Sequence, residues 1–300
     1  MIQFDDFDAW GDAINGASLR LACDGVETRG WALGALDLSG VVLQIAWEGG
    51  GTLCYGGNTH PGPILFVPLT HAAEHVVNGE RLDDDSLLAI PSGADFRITV
   101  RKRAHAWCSI ALPPDSASPF HTTAGSARIR CGKGAVPHLR RLVAAISESL
   151  LGRPGGTAAH LAAGRELTAA AMGCSPVPEP TPLRIGRPRL DRAEIVRRAM
   201  AMIDAAAIVP TASALASHIG VTNRTLLRTF QEAFGVPPRQ YLILRELHAV
   251  RRSLRGSGAE DATVADVLTR HGIWEFGRFA ARYRRHFGES PSVTLARARS

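Results

Sequence analysis

Residues 214–230 of the chain read ALASHIGVTNRTLLRTF, and residues 267–283 return to the same pattern as VLTRHGIWEFGRFAARY. In both stretches an apolar segment comes before a glycine, Gly220 or Gly272, whose backbone permits a tight turn. Apolar residues then follow at helical spacing. A Phe-Gly pair four residues beyond each stretch, at residues 234–235 and 287–288, ends the copy. A short helix, a turn and a second packed helix make a helix-turn-helix unit. The sequence therefore predicts two such units.

The two copies align at a constant offset over most of their length. Five positions recur 53 residues later, where Leu226, Phe230, Phe234, Gly235 and Pro238 match Phe279, Tyr283, Phe287, Gly288 and Pro291. Upstream of the turn the offset is 52 residues, so the turn of the second unit is one residue longer. Because the matched positions are mostly apolar, we expect them to form the core of each unit.

The residues left outside these predicted cores are polar or cationic. In DNA-binding units of this kind the amino end of the second helix reaches base edges in the major groove. Arg278, Arg282 and Arg285 follow at i, i+4 and i+7, which suits either phosphates or the O6 and N7 atoms of guanine. The candidate DNA-binding residues are Thr222, Asn223, Arg224, Thr225 and Arg228 in the first unit and Glu275, Arg278, Arg282 and Arg285 in the second.

The stretch between the two units predicts one long helix, from Pro238 to Leu254, with an apolar stripe along one side. Such a helix would hold the units at a fixed separation. If that separation matches one turn of DNA, both second helices could enter successive major grooves on one face of the duplex.

The positive charge of the chain is concentrated in its C-terminal part. Residues 1–190 hold 17 Lys/Arg and 18 Asp/Glu, a net charge of −1, whereas residues 191–300 hold 17 and 10, a net charge of +7. A compact region with this excess is typical of proteins that bind phosphates. The charge distribution therefore favours nucleic acid as a partner of the C-terminal part.

The N-terminal part has a different pattern. From about residue 31 to residue 112 apolar and polar residues alternate as in half-buried strands. Turn signals such as Gly49-Gly50-Gly51 and Asn78-Gly79 separate these segments, a rhythm typical of an antiparallel β-barrel or sandwich. Helical spacing then takes over at about residues 137–173 and predicts a helical hairpin.

Five prolines between residues 176 and 188 favour an extended, semi-stiff linker. Asp191 follows the linker and is the predicted N-cap of a new helix. The predicted fold class is α+β. We expect an N-terminal antiparallel β-barrel or sandwich with a helical hairpin in residues 1–173, a linker in residues 174–190, and an all-α domain with two helix-turn-helix units in residues 191–300.

At the repeat the sequence resembles the AraC/XylS family of bacterial transcription regulators. The resemblance rests on the first stretch quoted above, on FGVPPRQY at residues 234–241, on GIWEFGRFAARY at residues 272–283 and on FGESP at residues 287–291. It covers about residues 192–297. Two positions depart from the family pattern: Glu246 stands where the family usually has arginine, and Leu268 where it usually has alanine.

The resemblance implies a regulator that binds specific sites in double-stranded DNA as a homodimer, with RNA polymerase as a further partner. It also implies that the N-terminal strands form a cupin-like domain for a small-molecule effector and for dimerisation, with the helices of residues 137–173 at the dimer contact. It implies no cofactor, no bound metal and no enzyme activity.

Two other interpretations of the N-terminal part stay open. A cupin-type metal enzyme fused to a DNA-targeting domain would need ligands such as His60, His71, His75 and His105, although these lack a close H-x-H pair. Alternatively, the strands serve only for dimerisation and bind no effector. Trp31 and Trp47 are candidates for lining an effector pocket, but large aromatic residues in a sheet are also ordinary core residues.

Cysteine usage and the N-terminal sequence favour a cytoplasmic protein without membrane contact. The five cysteines are odd in number and include no C-x-x-C pair, which is typical of reduced thiols. Residues 1–10 carry three aspartates, unlike the basic start of a secretory signal. No apolar run approaches the roughly 20 residues that span a bilayer.

Overall fold

The computed structural model describes residues 1–25, 30–100, 104–116, 120, 125–152, 156–174, 176, 191–256 and 262–299. The predicted linker, residues 174–190, lies outside the described residues except for residues 174 and 176. The described chain divides into two compact units, an N-terminal one and a C-terminal one, and residues 21–25 are grouped with the C-terminal unit. Among these residues no helix combines the length and the apolar composition that crossing a bilayer requires.

The N-terminal unit is built on two antiparallel sheets. The described strands are β1 (Ile2–Phe4), β2 (Ala17–Cys23), β3 (Trp31–Asp37), β4 (Val42–Glu48), β5 (Thr52–Asn58), β6 (Ile64–Pro68), β7 (His75–Val77), β8 (Glu80–Arg81), β9 (Ser86–Ile90), β10 (Asp95–Val100), β11 (His105–Ala111) and β12 (Ala127–Arg130). Seven strands form one sheet in the order β1-β3-β4-β11-β6-β9-β12, and five form the other in the order β2-β5-β10-β7-β8. The two sheets confirm the β-rich region predicted from the alternation.

Three helices accompany the sheets: α1 (Phe7–Asp12), α2 (Ala135–Leu150) and α3 (Thr157–Met172). The buried side of α2 carries Leu139 and Val143, which join a core cluster with residues of the seven-stranded sheet and of α3. A Cβ atom on Gly164 of α3 would lie 2.2 Å from the carbonyl oxygen of Leu38. Only glycine therefore lets α3 approach the chain this closely.

Strand β4 explains how the seven-stranded sheet is covered on both faces. Leu43 and Ile45 pack in the cluster that contains α2 and α3. Gln44 and Ala46 point to the opposite face and are also buried. The middle of the sheet is therefore buried on both faces, with α2 and α3 covering one of them. For this reason buried and exposed residues do not simply alternate along β4.

Several N-terminal elements were not predicted from the sequence. Strands β1 and β2 and helix α1 precede residue 31, and β12 follows the predicted strand region. Thr157 is a residue type that favours the N-cap position, but it is already the first residue of α3, and Gly156 occupies the N-cap without a side-chain hydrogen bond.

From Asp191 onward, the described part of the C-terminal unit is all-helical. It contains α4 (Arg192–Ala205), α5 (Ala212–Ile219), α6 (Asn223–Phe234), α7 (Pro238–Gly256), α8 (Val264–Arg270), α9 (Phe276–Phe287) and α10 (Pro291–Arg299). The pairs α5–α6 and α8–α9 occupy the two stretches predicted as helix-turn-helix units, and α7 is the long helix between them. As predicted, Asp191 caps α4, accepting a hydrogen bond from the backbone N–H of Ala193 at 3.1 Å.

The turns of the two units differ as the sequence offset predicts. Gly220 directly caps α5 at φ 77°, in the left-handed region that favours glycine. In the second unit His271 caps α8, and the left-handed residue, Gly272 at φ 72°, comes one position later. Two residues separate Gly220 from the first residue of α6, whereas three separate Gly272 from the first residue of α9, so the extra residue of the second turn comes after its glycine.

Candidate nucleic-acid interface

An aromatic core fixes the orientation of α6. Leu226, Phe230 and Phe234 are at most 1% exposed. The rings of Phe230 and Phe234 pack on Tyr241 of α7, with ring centroids 5.5 and 4.6 Å from that of the tyrosine. Because residues four apart share one face of a helix, this packing turns the opposite face of α6 to solvent. The core predicted for the first unit is confirmed.

All five residues predicted to bind DNA in the first unit are exposed, namely Thr222, Asn223, Arg224, Thr225 and Arg228. Thr222 also caps α6, because its hydroxyl accepts a hydrogen bond from the backbone N–H of Thr225 at 3.1 Å. Arg224 forms no ion pair with any residue in the described ranges. The first turn of α6 thus presents hydrogen-bonding side chains to solvent, and their contact with DNA stays a prediction.

Arg228 is held only by a surface ion pair. Its Nε atom lies 3.0 Å from Oε1 of Glu232. The other oxygen of this carboxylate, Oε2, accepts a hydrogen bond from Arg192 of α4. The side chains of Arg228 and Glu232 are 66% and 38% exposed. An exposed pair of this kind contributes at most about 1 kcal/mol, so a phosphate can replace the carboxylate as the partner of Arg228.

The second unit has a matching core. Phe279 is 2% exposed and Tyr283 is fully buried. Phe287 is half-buried, and its ring centroid lies 4.5 Å from that of Tyr283. The hydroxyl of Tyr283 forms a hydrogen bond of 2.9 Å with that of Thr294 on α10. These contacts confirm that the predicted aromatic residues of α9 point inward.

The arginines of α9 do not all share one solvent face as predicted. Arg278 and Arg285 are exposed, and Arg278 pairs with Glu275 across 3.1 Å at the surface. Arg282 is half-buried, because it comes three residues after the buried Phe279 and lies at the edge of the core side. The prediction for Arg282 is corrected accordingly: its side chain lies at the border of the solvent face.

Arg282 is also engaged by the helix between the units. Its Nη1 atom lies 3.8 Å from Oε2 of Glu246 on α7, with the two side chains 32% and 24% exposed. Burial raises the pKa of Glu246, and the nearby Arg282 opposes that rise. Glu246 was singled out in the sequence only as a departure from the family pattern. In the structure it links α7 to α9.

Two exposed aromatic residues beside the arginines were missed in the sequence. Trp274 is 73% exposed and Phe276 is 38% exposed, at the turn before α9 and at its first residue. The signal was present, because both lie outside the positions that the repeat assigns to the core. The repeat predicts a core only from positions at which the two copies agree, and neither residue is at such a position.

Trp31 and Trp47 do not come together as an effector pocket. Trp47 pairs with Ala32 in the β3–β4 register, so these two residues share one face of the sheet. The neighbouring Trp31 therefore points to the opposite face, where its ring lies 5.0 Å from those of Phe7 and Trp10. Trp31 is fully buried, whereas Trp47 is 41% exposed. An effector role for either residue stays a prediction.

Polar residues from both sheets meet beside the cluster that contains Trp31. Glu48 accepts hydrogen bonds from Thr52 and from the indole of Trp107, and its Oε2 atom lies 3.2 Å from Nε2 of His105. Burial acts to raise the pKa of Glu48, but the hydrogen bonds and the charge of His105 outweigh it, so that the pKa is lowered. The ring of His75 packs edge-on against His105 at 4.8 Å.

The four histidines considered as metal ligands are only partly brought together. His75 and His105 are neighbours, whereas His60 hydrogen-bonds to the backbone of Gly62 and His71 is exposed. No group of three or more histidine, cysteine or acidic residues within the described ranges is arranged to hold a metal ion. All five cysteines are buried, and none of these five forms a disulfide bond.

The match to a family model lies in the C-terminal unit. A family model described as "Helix-turn-helix domain" matches residues 215–297. The "Probable thc operon regulatory protein" of Rhodococcus erythropolis is 32% identical over 113 residues, which are 37% of this chain and 34% of that protein. The "XylDLEGF operon transcriptional activator" of Pseudomonas putida is 33% identical over 81 residues, 27% of this chain and 25% of that protein.

This chain thus spans about a third or less of the length of these curated relatives. A crystal structure of a probable AraC family transcriptional regulator from Rhodopseudomonas palustris CGA009 is 33% identical, covers 35% of this chain and 98% of that chain, and superimposes with a TM-score of 0.32. Over the helix-turn-helix region of residues 215–297, the chain is therefore similar to transcription regulators of the AraC/XylS type.

Proposed function

We propose that the protein is a sequence-specific DNA-binding transcription regulator whose α6 and α9 enter the major groove. The observation that supports this most strongly is the repeat of one packing arrangement in α5–α6 and α8–α9. Each aromatic core turns a polar or cationic helix face to solvent. The net charge of +7 in residues 191–300 supplies the attraction to phosphates that such binding needs. Because the matched relatives are regulators, we do not propose the metal-enzyme alternative.

Selection from a randomised duplex library tests this function. The full chain is expected to enrich a defined sequence, and a variant with Asn223→Ala and Arg224→Ala is expected to lose the base preference in the half of the site read by α6. Arg81→Ala with Arg130→Ala, two exposed arginines of the N-terminal unit outside its helices, is the matched control and should select the same sequence. Enrichment of no sequence by the full chain would contradict the proposal.

We propose further that the N-terminal unit is a cupin-like domain that binds a small-molecule effector among Glu48, His75 and His105. Burying a carboxylate and two imidazoles in one domain is costly unless they are fully hydrogen-bonded. The Nε2 atom of the buried His75 has no hydrogen-bond partner within the part of the chain that the structure describes. A ligand with polar groups would satisfy it. The effector would alter DNA affinity to the extent that it favours one arrangement of the domains.

Thermal unfolding across a metabolite library tests the effector proposal, because a ligand of the folded state must stabilise it. We expect a compound that raises the unfolding temperature of the full chain but not that of Glu48→Gln. A library without any stabilising compound would favour a domain that serves dimerisation alone.

The homodimer is proposed to form through α3. Leu161 on this helix is 40% exposed, and Ala158 and Ala162 beside it are exposed as well, which leaves a small-residue surface for another helix. Light scattering should show a dimer for the full chain and a monomer for Leu161→Glu. A monomeric full chain would contradict this contact. RNA polymerase remains a predicted further partner.

A further inference from the structure

The second unit presents apolar aromatic surface at the position where the first unit presents hydrogen-bonding groups. Phe276 is the first residue of α9 and corresponds, at the offset of 53 residues, to Asn223, the first residue of α6. Trp274 lies two residues earlier, in the turn. The indole of Trp274 is 73% exposed, so its burial contributes little to the stability of the fold and its surface is available to a partner.

The surroundings of these two residues narrow the choice of partner. Arg278, Arg284 and Arg285 are exposed on the same helix. Arg284 and Arg285 form no ion pair with any residue in the described ranges. Cationic residues around an apolar patch complement a duplex, whose phosphates surround the base edges, better than they complement an apolar protein surface.

In the major groove the base edges offer one main apolar group, the C5-methyl group of thymine. We infer that Trp274 and Phe276 read thymine methyl groups, so that the second unit recognises its half of the site by apolar contact and the first unit by hydrogen bonds. This inference rests on the DNA-binding function proposed above. It assigns a base class, thymine, to the end of the site that α9 occupies.

The inference is tested by changing the DNA and leaving the protein intact. In the duplex selected by the full chain, each thymine is replaced in turn by deoxyuridine, which lacks only the C5-methyl group. Replacement in the half read by α9 is expected to weaken binding about fourfold per methyl group that the protein buries. Replacement in the half read by α6 is expected to have a smaller effect.

Two variants then assign the effect to residues. Phe276→Ala and Trp274→Ala should bind the thymine and deoxyuridine duplexes with more nearly equal affinity than the full chain does. Ile2→Ala removes an apolar side chain that is 68% exposed in the N-terminal unit and should keep the full difference.

The outcomes separate this inference from the proposed function. A selected sequence whose thymines can all be replaced without loss of affinity overturns the inference and leaves DNA binding intact. Undiminished discrimination in both aromatic variants also overturns it. Failure of the full chain to select any duplex overturns both proposals.

Discussion

His75 is a buried residue whose protonation the fold opposes. Burial and the neighbouring His105 lower its pKa from 6.5 to about 4. The unfolded chain therefore binds a proton more readily than the folded chain, and the free energy of unfolding falls as the pH drops from about 6.5 towards about 4. Glu48 acts in the same direction, because its pKa is also lowered and its contribution is lost in acid.

We predict that the N-terminal unit is sensitive to acid through His75. Between about pH 7 and pH 5 this residue alone should remove roughly 2 kcal/mol from the free energy of unfolding. Urea unfolding followed by tryptophan fluorescence measures this, since Trp10, Trp31, Trp47 and Trp107 lie in the N-terminal unit. His75→Gln should lose less stability over this range, and His60→Gln should behave like the unsubstituted chain. An equal loss in His75→Gln would contradict the assignment.

At the scale of elements, helix α9 contains arginines in different situations. Arg278 and Arg285 are exposed, whereas Arg282 is half-buried and lies near Glu246. A charge already engaged by a partly buried carboxylate has less to gain from a phosphate. We therefore predict that Arg282→Ala weakens DNA binding less than Arg278→Ala or Arg285→Ala does.

The partner variant sharpens this prediction. Glu246→Gln removes the negative charge that faces Arg282, so the binding of the selected duplex should become tighter, by no more than about tenfold. Fluorescence anisotropy titrations on the four variants provide the comparison, and circular dichroism checks that each remains folded. If Arg282→Ala proves the most damaging of the three arginine substitutions, Glu246 does not restrain that side chain.

The sequence predicted the C-terminal elements well because their signals are local. Apolar spacing, the turn glycines and the Asp191 cap each depend on neighbouring residues. The edge position of Arg282 was not predictable in this way, because it depends on how α7 packs beside α9. Strands β1 and β2 were also missed: their short or irregular patterns are stabilised by pairing with strands far along the chain.

The same reason limits what the sequence could say about candidate sites. The exposed face of α6 follows directly from the helical period. Trp31 and Trp47 lie on opposite faces because Trp47 pairs with Ala32 and not with Trp31. This register depends on the turn between β3 and β4, and the alternation within each strand does not reveal it. The cluster of Glu48, His75 and His105 combines residues from two sheets and carries no local signal at all.

In the whole molecule, the N-terminal and C-terminal parts of the chain carry very different net charges. Almost neutral composition in residues 1–190 contrasts with the net charge of +7 in residues 191–300. This partition suits a protein in which one part binds DNA by neutralising phosphates and the other is free to bind a ligand or a second copy of the chain. It also predicts that DNA binding depends strongly on salt.

The dependence of affinity on salt tests most directly whether α9 of the second helix-turn-helix unit holds a duplex through its phosphates. For the full chain on its selected duplex, the logarithm of the binding constant should fall linearly with the logarithm of the salt concentration. Removing two phosphate contacts with Arg278→Ala and Arg285→Ala should make that slope shallower by about 2, while Arg81→Ala with Arg130→Ala leaves it unchanged. An affinity insensitive to salt, or an equal slope in both double variants, would contradict the DNA-binding role of α9.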